Sequence, residues 1–164
     1  MINFGFWLRT NRAQTAGTGK ELRDTILLVD SDLGFVFWLG QALDAAGYNA
    51  IPALNVPSAE ELIHNHKLSL DTLVIDPFLP DAFPFISRHR QSVPKLNVVA
   101  AIPEDWGTFP HLPDVDAILR KPQRLNGIAL FQWLNLIQSF FSPSGVDLAQ
   151  RENFSLKKAG SDWD

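Results

Sequence analysis

Two aspartates and one lysine stand directly behind apolar runs of the sequence, and together they would form a small anionic pocket containing one ammonium group. Asp30 and Asp76 each follow an uninterrupted apolar run, and Lys121 follows a third run and precedes a proline. A continuous apolar run is typical of a strand that is covered on both faces, as in a parallel sheet. Because ligands bind at the carboxyl edge of open α/β sheets, we expect Asp30, Asp76 and Lys121 to meet at that edge.

Each of these residues also has a simpler interpretation. Asp30 and Asp32 could be plain turn and cap residues, and either Ser31 or Asp32 could cap the next helix. Asp76 could merely cap a turn, and Lys121 could be a solvated surface lysine. The order of the three residues along the chain, each in the same strand context, favours a shared pocket. His64 and His66 do not share a helix face, so they are not interpreted as a metal pair.

The elements that must position these residues alternate along the chain. The pattern predicts a doubly wound five-stranded parallel sheet with helices on both faces. Strands are expected at 25–29, 48–53, 73–76, 96–102 and 116–120, and helices at 33–46, 57–66, 85–91 and 125–141. Pro103, Pro110 and Pro113 predict that the fourth helix, between the last two strands, is short or missing.

The composition limits the class of protein. The chain has 164 residues, which suggests one domain, and it has no cysteine for a disulfide or a thiolate site. Its net charge of −4 argues against a nucleic-acid partner, and no stretch is apolar for long enough to predict a membrane span. A cytoplasmic location is therefore expected.

The two ends differ in composition from the middle of the chain. Residues 1–24 are predicted to form a flexible leader and residues 142–164 a flexible tail, with the folded domain at 25–141. Residues 4–8 are apolar, and they could dock on the domain or on a partner. They lack the basic start and the length of a signal peptide.

Three motifs together resemble the receiver domain of two-component response regulators over residues 25–141. Val29-Asp30-Ser31-Asp32 resembles the acidic pair after the first strand, and Ile75-Asp76-Pro77-Phe78-Leu79-Pro80 resembles the phosphoacceptor strand. Arg120-Lys121-Pro122 resembles the lysine-proline pair after the fifth strand. The resemblance implies a flavodoxin-like fold with strand order 2-1-3-4-5.

The resemblance also implies a chemistry, namely the transfer of a phosphoryl group from a kinase histidine to an aspartate with the help of Mg²⁺. It makes Asp76 the phosphoacceptor and Lys121 the residue that balances charge on the phosphoryl oxygens. It assigns Mg²⁺ to Asp30, Asp76 and the Phe78 carbonyl, with Ser31 as a further candidate. The implied partners are a histidine kinase or phosphotransfer protein and a downstream protein. The implied enzymatic activity does not exceed phosphoryl acceptance and slow self-dephosphorylation.

The sequence departs from the receiver pattern in the parts that bind metal and report phosphorylation. Ser31 stands where the family has a second carboxylate, so weaker Mg²⁺ binding is expected. The hydroxyl expected after the fourth strand is replaced by Ala101 or Ile102, and the aromatic switch position of the fifth strand carries Ile118. Two functions therefore stay open, a phosphoryl-accepting receiver and a pseudo-receiver that binds proteins without phosphorylation.

Overall fold

The protein contains a five-stranded parallel sheet with strand order β2-β1-β3-β4-β5. The computed structural model describes residues 23–107 and 112–141. The strands are β1 Thr25–Val29, β2 Asn49–Ala53, β3 Thr72–Ile75, β4 Asn97–Ile102 and β5 Ala117–Arg120. The helices are α1 Leu33–Ala45, α2 Val56–His66, α3 Ala82–Ser92 and α4 Gly127–Phe141. The predicted fold class and strand order are confirmed.

The positions of the strands follow from their sequences. The neighbouring inner strands β1 and β3 pair in register, with Val29 beside Ile75, and their apolar residues are almost completely buried. Strand β2 contains Pro52 and lies at the edge of the sheet, where a residue without an N–H costs no ladder hydrogen bond. This register places Asp30 and Asp76 side by side, one residue beyond the ends of β1 and β3.

Helices cover both faces of the sheet. On one face, α2 and α3 contribute Val56, Ala59 and Phe85 to a core that includes Leu27 and Leu73 of the inner strands. On the other face, α1 packs so closely that a Cβ on Gly40 would lie 3.5 Å from the Leu28 side chain. Residues of β1 alternate between these two cores, because successive side chains of a strand point to opposite faces.

The starts of the helices refine the predicted boundaries. Asp32 caps α1 by accepting a hydrogen bond from the Phe35 amide at 3.1 Å, which is one of the two caps that the sequence suggested. Helix α3 begins at Ala82, three residues before the prediction, and contains Pro84 in its first turn. Proline is tolerated there because the first amides of a helix have no partner within it.

No helix lies between β4 and β5 in the described residues 103–107 and 112–116, in agreement with the prediction from the prolines. The unit that contains the sheet and α1 to α3 ends at Leu125, and α4 belongs to a second unit that begins at Asn126. Within α4, Trp133 and Ile137 are buried, and Ile128 and Phe131 are exposed.

Two other predictions concern the ends of the chain and the possibility of a membrane-spanning helix. The predicted flexible tail and nearly all of the predicted leader lie outside the described residues. Within residues 23–107 and 112–141, none of the helices combines the length and the hydropathy that crossing a bilayer requires.

Candidate functional site

The structure brings Asp30, Asp76 and Lys121 together at the carboxyl edge of the sheet. The Lys121 ammonium donates to Asp30 Oδ2 at 3.0 Å and to Asp76 Oδ2 at 3.1 Å, with a longer contact of 3.3 Å to Asp30 Oδ1. Strand β5 aims the lysine into the pocket, because the Lys121 amide still donates to the Ile102 carbonyl of β4 at 2.6 Å. One ammonium therefore bridges two carboxylates that come from different strands.

Each aspartate is fixed by its own loop in the same way. Asp30 Oδ1 accepts a hydrogen bond from the Asp32 amide at 2.8 Å, and Asp76 Oδ1 accepts one from the Phe78 amide at 2.9 Å. A short acidic side chain that bonds the amide two residues later is a common way to begin a turn. In both residues, Oδ1 is held by the backbone and Oδ2 faces the lysine.

The pocket is largely shielded from water, and this changes its electrostatics. Asp30 is 1% exposed, and burial raises the pKa of its carboxyl despite the opposing effects of the Asp32 amide and Lys121. Burial by itself would lower the pKa of Lys121, but the hydrogen bonds and charges of Asp30 and Asp76 outweigh it and raise that pKa. The Lys121 ammonium also lies 5.9 Å from the centroid of the Phe35 ring, within cation–π range.

Asp30 is the only carboxylate directly after β1 that faces the pocket in the described residues. Two carboxylates at this place would bind a metal ion better. Ser31 is exposed and neutral, and one carboxylate oxygen of Asp32 caps α1. Among the residues that the structure describes, no three His, Cys, Asp or Glu side chains converge as a metal site. Asp30 and Asp76 still supply converging oxygen atoms, which is the donor type that Mg²⁺ prefers.

The residues at which the resemblance predicts a conformational switch carry no hydroxyl and no aromatic ring. Ala101 and Ile102 are almost completely buried at the end of β4, and Ala101 follows the residue that pairs with Ile75. Ile118 in β5 is 39% exposed and pairs with Ala100. These side chains cannot donate a hydrogen bond to a group on Asp76.

Sequence reasoning missed a contact network beside the pocket. The Arg120 guanidinium donates to the carbonyls of Glu104 at 2.7 Å, Trp106 at 2.5 Å and Gly107 at 3.3 Å. The Trp106 ring stacks on Phe78, with 4.2 Å between the ring centroids. The only available signal was an arginine next to the pocket lysine, because a side chain that bonds loop carbonyls leaves no periodic pattern in the sequence.

Comparison with known proteins finds similar solved structures but no match by sequence. No protein-family model and no curated protein matches the sequence. A CheY-like response regulator receiver domain from Methanospirillum hungatei JF-1 is similar, with a TM-score of 0.56, 19% identity and coverage of 71% of this chain and 92% of that one. The receiver domain of the hybrid histidine kinase CckA also has a TM-score of 0.56, with 17% identity and coverage of 72% and 99%.

A third similar structure was solved with ligands. It is the response regulator TrrA from Thermotoga maritima in complex with Mg²⁺ and BeF, with a TM-score of 0.54, 14% identity and coverage of 71% and 98%. The chain therefore has the flavodoxin-like fold of response regulator receiver domains.

Proposed function

We propose that this chain is a receiver-like signalling domain of a two-component phosphorelay, with Asp76 as the phosphoacceptor. The observation that carries the proposal is the contact of one ammonium, that of Lys121, with both Asp30 and Asp76 at the carboxyl edge of the sheet. Two partly buried carboxylates repel an incoming phosphoryl group unless a cation offsets their charge. Lys121 supplies one such cation, because its ammonium lies 3.1 Å from Asp76 Oδ2.

The proposed reaction is a displacement at phosphorus. An oxygen of Asp76 forms the new O–P bond while the bond between phosphorus and the donor atom breaks, and the electron pair of that bond leaves with the donor. Lys121 stabilises the charge that spreads over the phosphoryl oxygens during the transfer. The donor in this proposal is a phosphohistidine of a histidine kinase or phosphotransfer protein, and a downstream protein receives the signal.

Mg²⁺ is the metal that this fold family implies, and oxygen atoms of Asp30, Asp76 and the Phe78 carbonyl would hold it. When bound, it supplies positive charge next to the phosphoryl oxygens. The chain's own contribution is to fix the two aspartates through the amides of Asp32 and Phe78. We assign the receiver-like domain to residues 25–141, flanked by the leader and the tail, and a cytoplasmic location is part of the same proposal.

The proposal predicts covalent modification by a small phosphodonor. Incubation with an acyl phosphate and Mg²⁺ should add the mass of one phosphoryl group to the protein, and Asp76→Asn should abolish that addition, because an amide oxygen is a poor nucleophile. Intact-mass spectrometry measures both. Asp81→Asn is the matched control, because it removes an exposed carboxylate five residues away. Unchanged modification of Asp76→Asn, or none of the unaltered protein, would contradict the proposed acceptor.

A pseudo-receiver that binds a partner without phosphorylation is the second candidate. Arg120 already holds the loop at 104–107 by its carbonyls in the unmodified protein, and Ala101 and Ile102 have no hydroxyl that a phosphoryl group could attract. A ligand shifts a conformational equilibrium only through different affinities for its two states. In this case the partner binds the unmodified protein, and Asp76→Asn changes its affinity little.

A further inference from the structure

Two exposed aromatic rings lie side by side next to the acidic pocket. Phe78 and Trp106 stack with an angle of 26° between their planes, and the residues are 45% and 46% exposed. We call these two residues the aromatic platform. Large aromatic side chains that stay exposed as a group are typical of contact surfaces, where they supply most of the binding energy.

Hydrogen bonds of the backbone hold the aromatic platform in place. The Phe78 amide is tied to Asp76, and the Trp106 carbonyl accepts a hydrogen bond from Arg120. The Trp106 amide also donates to the Pro103 carbonyl at 3.3 Å. A surface that is already ordered loses little conformational entropy on binding, so a short segment can dock on it.

The charges around the aromatic platform are mostly negative. Asp81, Glu104 and Asp105 are all exposed, and Asp81 makes no side-chain hydrogen bond to the helix that it precedes. Glu104 accepts a hydrogen bond from the Gln123 amide at 2.8 Å. The neighbouring cations are already engaged, Arg120 with three backbone carbonyls and Lys121 with the two aspartates of the pocket. This surface favours an occupant with aromatic or aliphatic side chains and guanidinium groups.

We infer that the occupant is the N-terminal segment of this same chain, residues 4–12. Its sequence is Phe-Gly-Phe-Trp-Leu-Arg-Thr-Asn-Arg, and no acidic residue precedes Glu21. Its apolar side chains match the two rings, and Arg9 and Arg12 match the surrounding carboxylates. The other end of the chain is a poorer match, because residues 142–164 carry four acidic and three basic side chains.

The connection between the segment and the sheet is long enough. Strand β1 begins at Thr25 on the amino edge, and its five residues span about 16 Å to the carboxyl edge. The eleven peptide steps from residue 12 to residue 23 can extend to about 35 Å. The segment can therefore reach the aromatic platform within one molecule.

A spin label tests this inference in the full chain. The sequence has no cysteine, so Thr10→Cys gives one site for a nitroxide, and amide NMR detects broadening near it. We expect loss of signal for residues 78–83 and 104–107 at the carboxyl edge. Arg9→Glu with Arg12→Glu should restore those signals, and so should high salt, which screens exposed charges. Arg9→Lys with Arg12→Lys should leave the broadening largely in place.

Three results would overturn the inference. The first is broadening confined to the amino edge around residues 23, 49, 71 and 97, which indicates a segment that stays near its attachment point. The second is broadening of an isotope-labelled, unaltered chain by an added spin-labelled one, which indicates docking between two copies. The third is persistence of the carboxyl-edge broadening after Trp106→Ala with Phe78→Ala. A label at Ser161→Cys is the control for contact by the other end of the chain.

Discussion

Replacing Lys121 with methionine is expected to lower the free energy of unfolding at pH 7 by about 3 kcal/mol, because it leaves two partly buried carboxylates without their shared cation. The side chains of Lys121, Asp30 and Asp76 are 14%, 1% and 12% exposed, so water screens their charges poorly. Methionine keeps most of the length and the apolar contacts of the lysine stem, and the substitution therefore removes mainly the charge.

The effect of this substitution depends on pH in a defined direction. A carboxyl whose pKa is higher in the folded than in the unfolded protein binds more protons when folded, so the protein loses stability as the pH rises between the two values. Burial already raises the pKa of Asp30, and loss of the ammonium raises it further. The difference in stability between Lys121→Met and the unaltered protein should be largest at neutral pH and shrink as the pH falls toward about 4.

Urea unfolding at several pH values measures this difference. Lys95→Met is the matched control, since Lys95 is exposed, and it should change stability little. Asp30→Asn combined with Lys121→Met should recover part of the lost stability, because only one carboxylate then stays charged. A loss that is independent of pH would show that Lys121 acts through packing rather than through charge.

Replacing Ser31 with aspartate is expected to tighten Mg²⁺ binding by about tenfold, or about 1.4 kcal/mol, because a charged oxygen ligand replaces a neutral hydroxyl beside Asp30. The site is accessible, since Ser31 is exposed directly before the residue that caps α1. Asp32 is poorly placed to supply this charge, because its carboxylate accepts the hydrogen bond from the Phe35 amide.

Isothermal titration calorimetry measures the affinity for Mg²⁺. Ser31→Asn is the matched control, because the amide has the shape of the carboxylate without its charge. Ser31→Asp should bind Mg²⁺ more tightly than Ser31→Asn. Equal affinities for these two variants would show that position 31 does not face the metal.

The parts of the fold that the sequence predicts are those controlled by burial. The apolar runs that end at Val29 and Ile75 indicate inner parallel strands, because only a strand covered on both faces needs no polar residues. The convergence of Asp30, Asp76 and Lys121 follows from this, since the carboxyl ends of parallel strands share one edge. Helix α3 begins three residues before its predicted start, and its first turn accommodates Pro84 because the first amides of a helix have no partner within it.

The parts that the sequence does not predict depend on single side chains that turn back on the backbone. Nothing in the residue pattern shows that Arg120 donates to three carbonyls of the loop after β4, or that Trp106 stacks on Phe78. The choice between Ser31 and Asp32 as the cap of α1 was also open, since both residue types are good caps. In each case several residues could make the same contact, and only the local backbone geometry decides which of them does.

The most direct test of the central proposal, that Asp76 is a phosphoacceptor in a pocket without a conformational switch, is amide NMR during titration with beryllium fluoride and Mg²⁺. We expect shifts for residues around Asp30, Asp76 and Lys121, and nearly unchanged signals for residues 103–107 and 112–119. Arg120 already binds three carbonyls of the loop at 104–107. Ala101 and Ile102 have no hydroxyl that the added group could attract, so it has no means of moving these residues. Large shifts throughout residues 103–107 and 112–119 would restore an ordinary receiver, and no shift around Asp76 would contradict the phosphoacceptor pocket itself.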